Sequence, residues 1–321
     1  MDLVPWSRDK TTKTDIAMAA VVVLSRSIRP QLRNPRLGSG ASSYFLGRER
    51  RSFSSYLVTP KELSEALKKN PPSKISTAPR TVPLCGTWFL PNDGRNGLQT
   101  FREKRIPGSR FFDLDKVIDK RSPYPHMLPS ASDFATAMSS LGIRRDDTVW
   151  VEEGYPTESG EFWDVDTCAY PIPELDASKV VEFAEVKEIA KDHNKEGAEG
   201  VQILDARSKG RWSGTDPEPR PGLSSGHMPG SISLPMTELL DPEKKTMLPP
   251  DQLRKIFESK GIDPQRPIIN SCGTGVTAAV IDAALIEAGY GEESRRRLYD
   301  GSWTEFAQRV KPSDSLIIKK A

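Results

Sequence analysis

The alternation of apolar and polar positions is clearest in the C-terminal half of the chain. Val201-Gln202-Ile203-Leu204 reads as a strand closed by Asp205-Ala206-Arg207, and Pro267-Ile268-Ile269 as the tip of a buried strand. Ala278-Ala279-Val280-Ile281-Asp282-Ala283-Ala284-Leu285 predicts a buried or half-buried helix. Leu248-Pro249 opens an amphipathic helix that ends at Lys260-Gly261-Ile262. A shorter helix is expected near Ala184 to Asp192, and Arg297-Leu298-Tyr299 is strand-like. Strands alternating with helices through short loops imply a doubly wound parallel sheet.

Much of this pattern occurs twice. Arg105-Ile106-Pro107-Gly108-Ser109-Arg110-Phe111-Phe112-Asp113 parallels His227-Met228-Pro229-Gly230-Ser231-Ile232-Ser233-Leu234-Pro235, each a Pro-Gly turn feeding a short strand. Leu128-Pro129 opens a helix ending Ser140-Leu141-Gly142-Ile143, as Leu248-Pro249 does later. Asp147-Thr148-Val149 then stands where the second copy has Arg266-Pro267-Ile268. From Val149 the first copy passes directly to Trp150-Val151-Glu152-Glu153-Gly154-Tyr155, which matches the turn beginning at Trp303. The 34 residues between Ile268 and Trp303 have no counterpart. The expectation is two α/β units, the first (56–155) lacking two strands and a helix. A sheet stripped of inner strands exposes edges and apolar faces, so a weakened or rearranged first unit is predicted. The acidic, proline-rich stretch Pro156 to Ser178 reads as a linker, and 179–310 as the second unit.

At 321 residues the chain has room for both units, and its charge of +2 conceals an asymmetry. Residues 16–51 hold seven arginines, many serines and one acid, Glu49. With the apolar run Ala17 to Leu24, this resembles a mitochondrial transit peptide spanning 1–51. The run is too short to span a bilayer. Without residues 1–51 the chain has 36 basic and 40 acidic residues, so no basic footprint argues for nucleic acid. Neither a nucleic acid nor a membrane is expected as a partner. The three cysteines, Cys85, Cys168 and Cys272, are too few for a disulfide framework. None has zinc-ligand spacing, and with only three histidines no metal is expected.

The candidate chemistry lies between the second buried strand and its helix, in Asn270-Ser271-Cys272-Gly273-Thr274-Gly275-Val276-Thr277. A cysteine at a helix N-terminus meets unpaired N–H groups and the positive end of the dipole. Gly273 and Gly275 allow the amides of Gly273, Thr274, Gly275, Val276 and Thr277 to turn inward around an anionic sulfur as a nest. In such settings a thiol pKa falls from roughly 8.5 to between about 3.5 and 7.5. Cys272 is therefore the expected nucleophile. A phosphatase of related fold would need arginine at position 278, which is alanine.

The chain after residue 56 resembles a two-domain rhodanese-type sulfurtransferase. The carriers are the Cys272 loop, Gly210-Arg211-Trp212-Ser213-Gly214-Thr215-Asp216-Pro217-Glu218-Pro219-Arg220, Gly226-His227-Met228-Pro229-Gly230 and Gly301-Ser302-Trp303. Cys-Gly-Thr-Gly-Val-Thr and the first unit's Ser122-Pro123-Tyr124-Pro125-His126-Met127-Leu128-Pro129 are similar to the 3-mercaptopyruvate branch. Thiosulfate-preferring members usually carry cations where this chain has Gly273 and Thr274. The resemblance implies a Cys272 persulfide formed from mercaptopyruvate with release of pyruvate, and no cofactor beyond that covalent intermediate. It implies that Arg211 and Arg220 bind the substrate's carboxylate and keto oxygen. Thr274 would pass a proton or polarise the thiol, while Asp115 and His126 reach the site from the first unit. Thioredoxin or a small thiol would accept the sulfur.

Plainer readings accompany these roles. Arg211 and Arg220 could form surface salt bridges with Asp216 and Glu218, and Thr274 could merely cap the following helix. His126 and Asp115 could be loop polar groups. His227 is expected to order its Pro-Gly loop, Asp205 and Arg207 to pair at a strand end, and His193 to be solvated. Cys85 and Cys168 are expected to be inert, with a regulatory disulfide as the alternative. In function, a thiosulfate sulfurtransferase and a non-catalytic sulfur relay remain alternatives. The matrix is the expected compartment and the cytoplasm its rival.

Overall fold

The computed structural model describes residues 57–69, 78–150, 159–160, 166–193 and 200–319. Residues 1–51, read from the sequence as a transit peptide, the stretch Val151 to Tyr155 and part of the linker lie outside the described residues.

The first unit starts with α1 (Pro60–Lys69). The Thr59 and Glu62 side chains each take the other's main-chain N–H at its start, a reciprocal cap. Strand β1 (Thr81–Cys85), α2 (Gly97–Glu103), β2 (Arg110–Phe111), α3 (Ala131–Ser140) and β3 (Thr148–Trp150) follow. The three strands are parallel in the order β2-β1-β3. Val82, Leu84, Phe112, Phe134, Met138 and Ile143 form one buried cluster over this sheet. Removing each such side chain from water contributes about 1.5–3 kcal/mol.

The second unit comprises β4 (Val180–Val181), α4 (Phe183–His193), β5 (Gln202–Asp205), α5 (Lys209–Ser213), β6 (Ser231–Ser233) and α6 (Pro250–Ser259). It continues with β7 (Ile268–Ser271), α7 (Ala278–Glu287), β8 (Arg296–Tyr299) and α8 (Ser302–Arg309). Its five strands are parallel in the order β4-β8-β7-β5-β6. Consecutive strand residues point to opposite faces. Leu204, Ile268 and Leu298 pack with α6 and α7 on one side, while Ile203, Ile269 and Tyr299 pack with α4 and α8 on the other. The expected doubly wound sheet is therefore present, with the cysteine loop at the carboxyl end of inner strand β7.

The repeat is visible in the pairing, because β1, β2 and β3 connect to one another as β5, β6 and β7 do. This corrects the identity of the missing pieces. The counterpart of β7 survives as β3, with Trp150 completing it. Among the described residues the first unit has no counterpart of the cysteine loop, of α7 or of β8. Among the described residues there is also no β4 counterpart, in keeping with the pairing of β4 to β8 in the second unit. Leu57 and Val58, ahead of α1, belong to no strand, and Leu57 is 43% exposed.

Part of the linker lies against the first unit. The Cys168 N–H donates to the Ser139 carbonyl at 3.1 Å. The Tyr170 N–H donates to Ser139 Oγ at 2.9 Å, and the Tyr170 ring meets Phe134 edge-on. The residues at Trp303, read as a turn, instead form helix α8, whose Trp303 and Phe306 are fully buried.

Candidate active site

Strand β7 ends at Ser271, which places Cys272 in the loop at the sheet's carboxyl edge, where it is 2% exposed. Helix α7 begins only at Ala278, so the loop, rather than the first helical turn, surrounds the sulfur. The N–H groups of Gly273, Thr274, Gly275, Val276 and Thr277 have no acceptor among the described residues. Such amides are available to an anion.

The β8–α8 turn holds this loop by its main chain. Ser302 Oγ accepts the Cys272 N–H at 3.1 Å, and the Trp303 N–H donates to the Cys272 carbonyl at 2.9 Å. Thr304 donates its N–H and its hydroxyl to the Gly273 carbonyl at 3.0 and 2.7 Å. Ser302 itself has φ +47°, a left-handed conformation uncommon outside glycine. Gly275 has φ +82°, and a Cβ there would lie 2.8 Å from the Asp300 carbonyl, so the close approach requires glycine.

Thr274 does not cap α7. Its hydroxyl lies 2.9 Å from His126 Nδ1, and His126 Nε2 lies 3.0 Å from Asp115 Oδ1. A carboxylate can only accept, so Nε2 carries the proton and Nδ1 of the neutral ring accepts from the Thr274 hydroxyl. Trp88 Nε1 donates to the same Asp115 oxygen at 3.0 Å and its ring meets His126 edge-on. Burial pushes His126 below its usual range, with Asp115 opposing the shift and Arg220 adding to it. The first unit thus delivers a neutral imidazole to the cysteine loop. Val276 packs on the first unit's core beside this contact.

The arginines form an uneven set. Arg207, 2% exposed, bonds Asp205 at 2.6 Å and Glu218 at 2.8 Å and stacks over the Trp303 ring. Burial works against its charge, but Asp205 and Glu218 outweigh that and hold its pKa above the ordinary value. Arg211 donates from Nη2 and Nε to Glu218 Oε2 at 2.6 and 3.1 Å, and its Nη2 lies over Gly273. Glu218 is buried, so this is an interior network and not the surface salt bridge read as an alternative. The Arg220 guanidinium has no hydrogen-bond or ion-pair partner among the described residues. Burial, followed by Arg211, lowers its pKa, while Cys272, Glu218 and Asp115 favour its charge. Arg207 and Arg211 balance Asp205 and Glu218, which leaves Arg220 as the excess cation.

The remaining candidates fall into place as structure. His227 Nδ1 donates to the Trp212 carbonyl at 2.8 Å and the ring stacks on that of Trp212, which orders the Pro-Gly loop as expected. His193 is not solvated: Nε2 lies 2.6 Å from the Val201 carbonyl, and the ring covers Gly230, leaving no room for a Cβ there. Cys85 contacts the Thr87 hydroxyl and Cys168 the Ile143 carbonyl, both as free thiols. Sequence reasoning missed Glu218 as the shared acceptor, Trp88 beside His126, and Asp300. For Glu218 the signal was its place between two prolines, two residues before Arg220. For Asp300 it was only adjacency to Gly301-Ser302-Trp303.

Two parallel-sheet units, with a cysteine in an amide-lined loop of the second and polar side chains supplied by the first, define a tandem rhodanese-type architecture. A model of the rhodanese-like domain matches residues 185–309. The "Probable 3-mercaptopyruvate sulfurtransferase" of Schizosaccharomyces pombe is 34% identical over 82% of this chain and 96% of its own length. "Thiosulfate/3-mercaptopyruvate sulfurtransferase 1, mitochondrial" of Arabidopsis thaliana is 34% identical over 70% of this chain and 71% of its own. The crystal structure of Tum1 from Saccharomyces cerevisiae superposes with a TM-score of 0.70 at 32% identity, covering 83% of this chain and 98% of that one. The chain belongs to the rhodanese-type sulfurtransferases, and it is a sulfurtransferase enzyme.

Proposed function

We propose that Cys272 takes sulfur from 3-mercaptopyruvate and hands it to a thiol, thioredoxin or a small thiol. The observation that carries this reading is the hydrogen-bonded chain Asp115–His126–Thr274, in which His126 Nδ1 lies 2.9 Å from the hydroxyl of Thr274 in the cysteine loop. The donor's thiol proton would pass to Thr274 Oγ1 as the Thr274 proton moves to His126 Nδ1, where Asp115 stabilises the imidazolium. Cys272, as the thiolate, attacks the donor sulfur and the donor's C–S bond breaks. The electron pair leaves as the enolate of pyruvate, which takes up a proton at carbon. The outer sulfur of the persulfide would then lie among the loop amides that have no protein acceptor. Sulfur is carried on Cys272 itself, so the reading needs no cofactor.

Charge supports the keto-acid donor over thiosulfate. Arg211 is matched by Glu218, so Arg220 provides one uncompensated positive charge, suited to a monocarboxylate, and Gly273 and Thr274 add none. A bidentate guanidinium fits that carboxylate. Residues 1–51 support a mitochondrial address, as the name of the Arabidopsis relative does for that protein. Steady-state kinetics with both donors tests the reading. A kcat/KM higher for thiosulfate would overturn the donor assignment. A protein that gains no extra sulfur in the intact mass on exposure to mercaptopyruvate would overturn the mechanism.

A further inference from the structure

The β8–α8 turn grips both halves of the site. Its residues 302–304 bind the Cys272 and Gly273 main chain, and the Asp300 carbonyl packs against Gly275. The Asp300 side chain turns the other way, toward the first unit, where Oδ2 accepts the Leu128 N–H at 2.9 Å. Leu128 follows His126 by two residues, and His126 holds φ +62°, a conformation that a non-glycine residue keeps only when its surroundings impose it. We infer that Asp300 is a positioning residue, fixing the 126–128 loop on the catalytic unit so that His126 Nδ1 stays in register with Thr274.

Glu182 ahead of α4, Glu305 on α8 and Asp119 of the first unit all disfavour the charge on Asp300, and among the described residues the Leu128 N–H is the one donor to it. Burial pushes Asp300 up to about 7, so this acid is held at a cost for the sake of a single cross-unit bond. Among the described residues the Asp300 side chain bonds the His126 loop through Leu128, while its carbonyl packs against Gly275. The inference rests on the relay reading of His126.

The test compares Asp300→Ala, Asp300→Asn, His126→Ala and the double variant Asp300→Ala/His126→Ala in the full chain, with circular dichroism to confirm folding. Asp300→Ala is expected to lower kcat with mercaptopyruvate about tenfold, the cost of one mispositioned hydrogen-bonded group. Asp300→Asn, which keeps an acceptor for the Leu128 N–H, recovers most of that rate. Once His126 is alanine, Asp300→Ala should cost less than about twofold more, because both changes break the same chain. Losses that multiply, or an asparagine variant as slow as the alanine one, overturn the role of Asp300 while leaving the relay intact. A His126→Ala enzyme at full speed overturns the relay and the inference together. Should Asp300→Ala not fold, the asparagine variant alone decides. Near-normal kcat supports the inference, and a tenfold loss ends it.

Discussion

Arg220 and Arg211 stand side by side, yet their removal should have opposite signatures. Arg220 gives nothing to the folded protein: among the described residues no acid pairs with it, and burial disfavours its charge. Arg220→Met therefore removes a charge-assisted contact to the donor and little else. Such a contact is worth about 1.5–3 kcal/mol, which is roughly 10- to 150-fold in kcat/KM. The loss should fall mainly on KM for mercaptopyruvate, with the melting temperature unchanged or slightly raised. Arg211→Met instead leaves the buried Glu218 carboxylate leaning on Arg207 alone. Breaking one arm of a buried ion network costs about 3–5 kcal/mol, and the partly exposed Arg211 end should bring this nearer about 2 kcal/mol. Melting would then drop by about 4–8 °C on the scale for domains of this size. Thermal melts beside donor kinetics read both effects. If Arg220→Met melts several degrees lower while KM for the keto acid holds, the guanidinium is structural and the charge argument for the donor is wrong.

Cys272→Ser should abolish the one-sulfur mass gain without altering the fold; a retained adduct in the intact mass would place the nucleophile elsewhere. For His126, burial makes protonation harder than for a free imidazole. The neutral relay should persist as pH falls through 6.5, with the acid limb of kcat/KM appearing below that and vanishing in His126→Ala. The same shift affects stability: the unfolded chain protonates His126 first, so the folded state loses stability as pH falls below 6.5. A limb at or above 6.5 would contradict this. Gly275→Ala should impair turnover and destabilise the second unit by about 1–2 kcal/mol, because φ +82° and the Asp300 carbonyl leave no room for a methyl group. A variant with normal melting and rate would show that the loop can shift at no cost.

Local order in the chain sufficed for β5, β7, β8 and the loop that carries Cys272, but not for β1 (Thr81–Cys85) or β4 (Val180–Val181), which no sequence pattern singled out. Ile203-Leu204 and Ile268-Ile269 are apolar on both faces because helices cover both sides of the sheet, and a continuous apolar run is how that burial is written. The duplicated Pro-Gly turns revealed the two units, and Asp205-Ala206-Arg207 announced its own pair, since its partners are two residues apart. Tertiary structure alone decided the remainder. Thr274 meets His126 across 148 positions and Asp300 meets Leu128 across 172, distances over which no periodicity operates. Nor could composition show that Glu218 would be interior and claimed by two arginines, leaving Arg220 without a partner. Those outcomes depend on which groups lose contact with water as the second unit packs and meets the first, and that loss is a property of the packed whole.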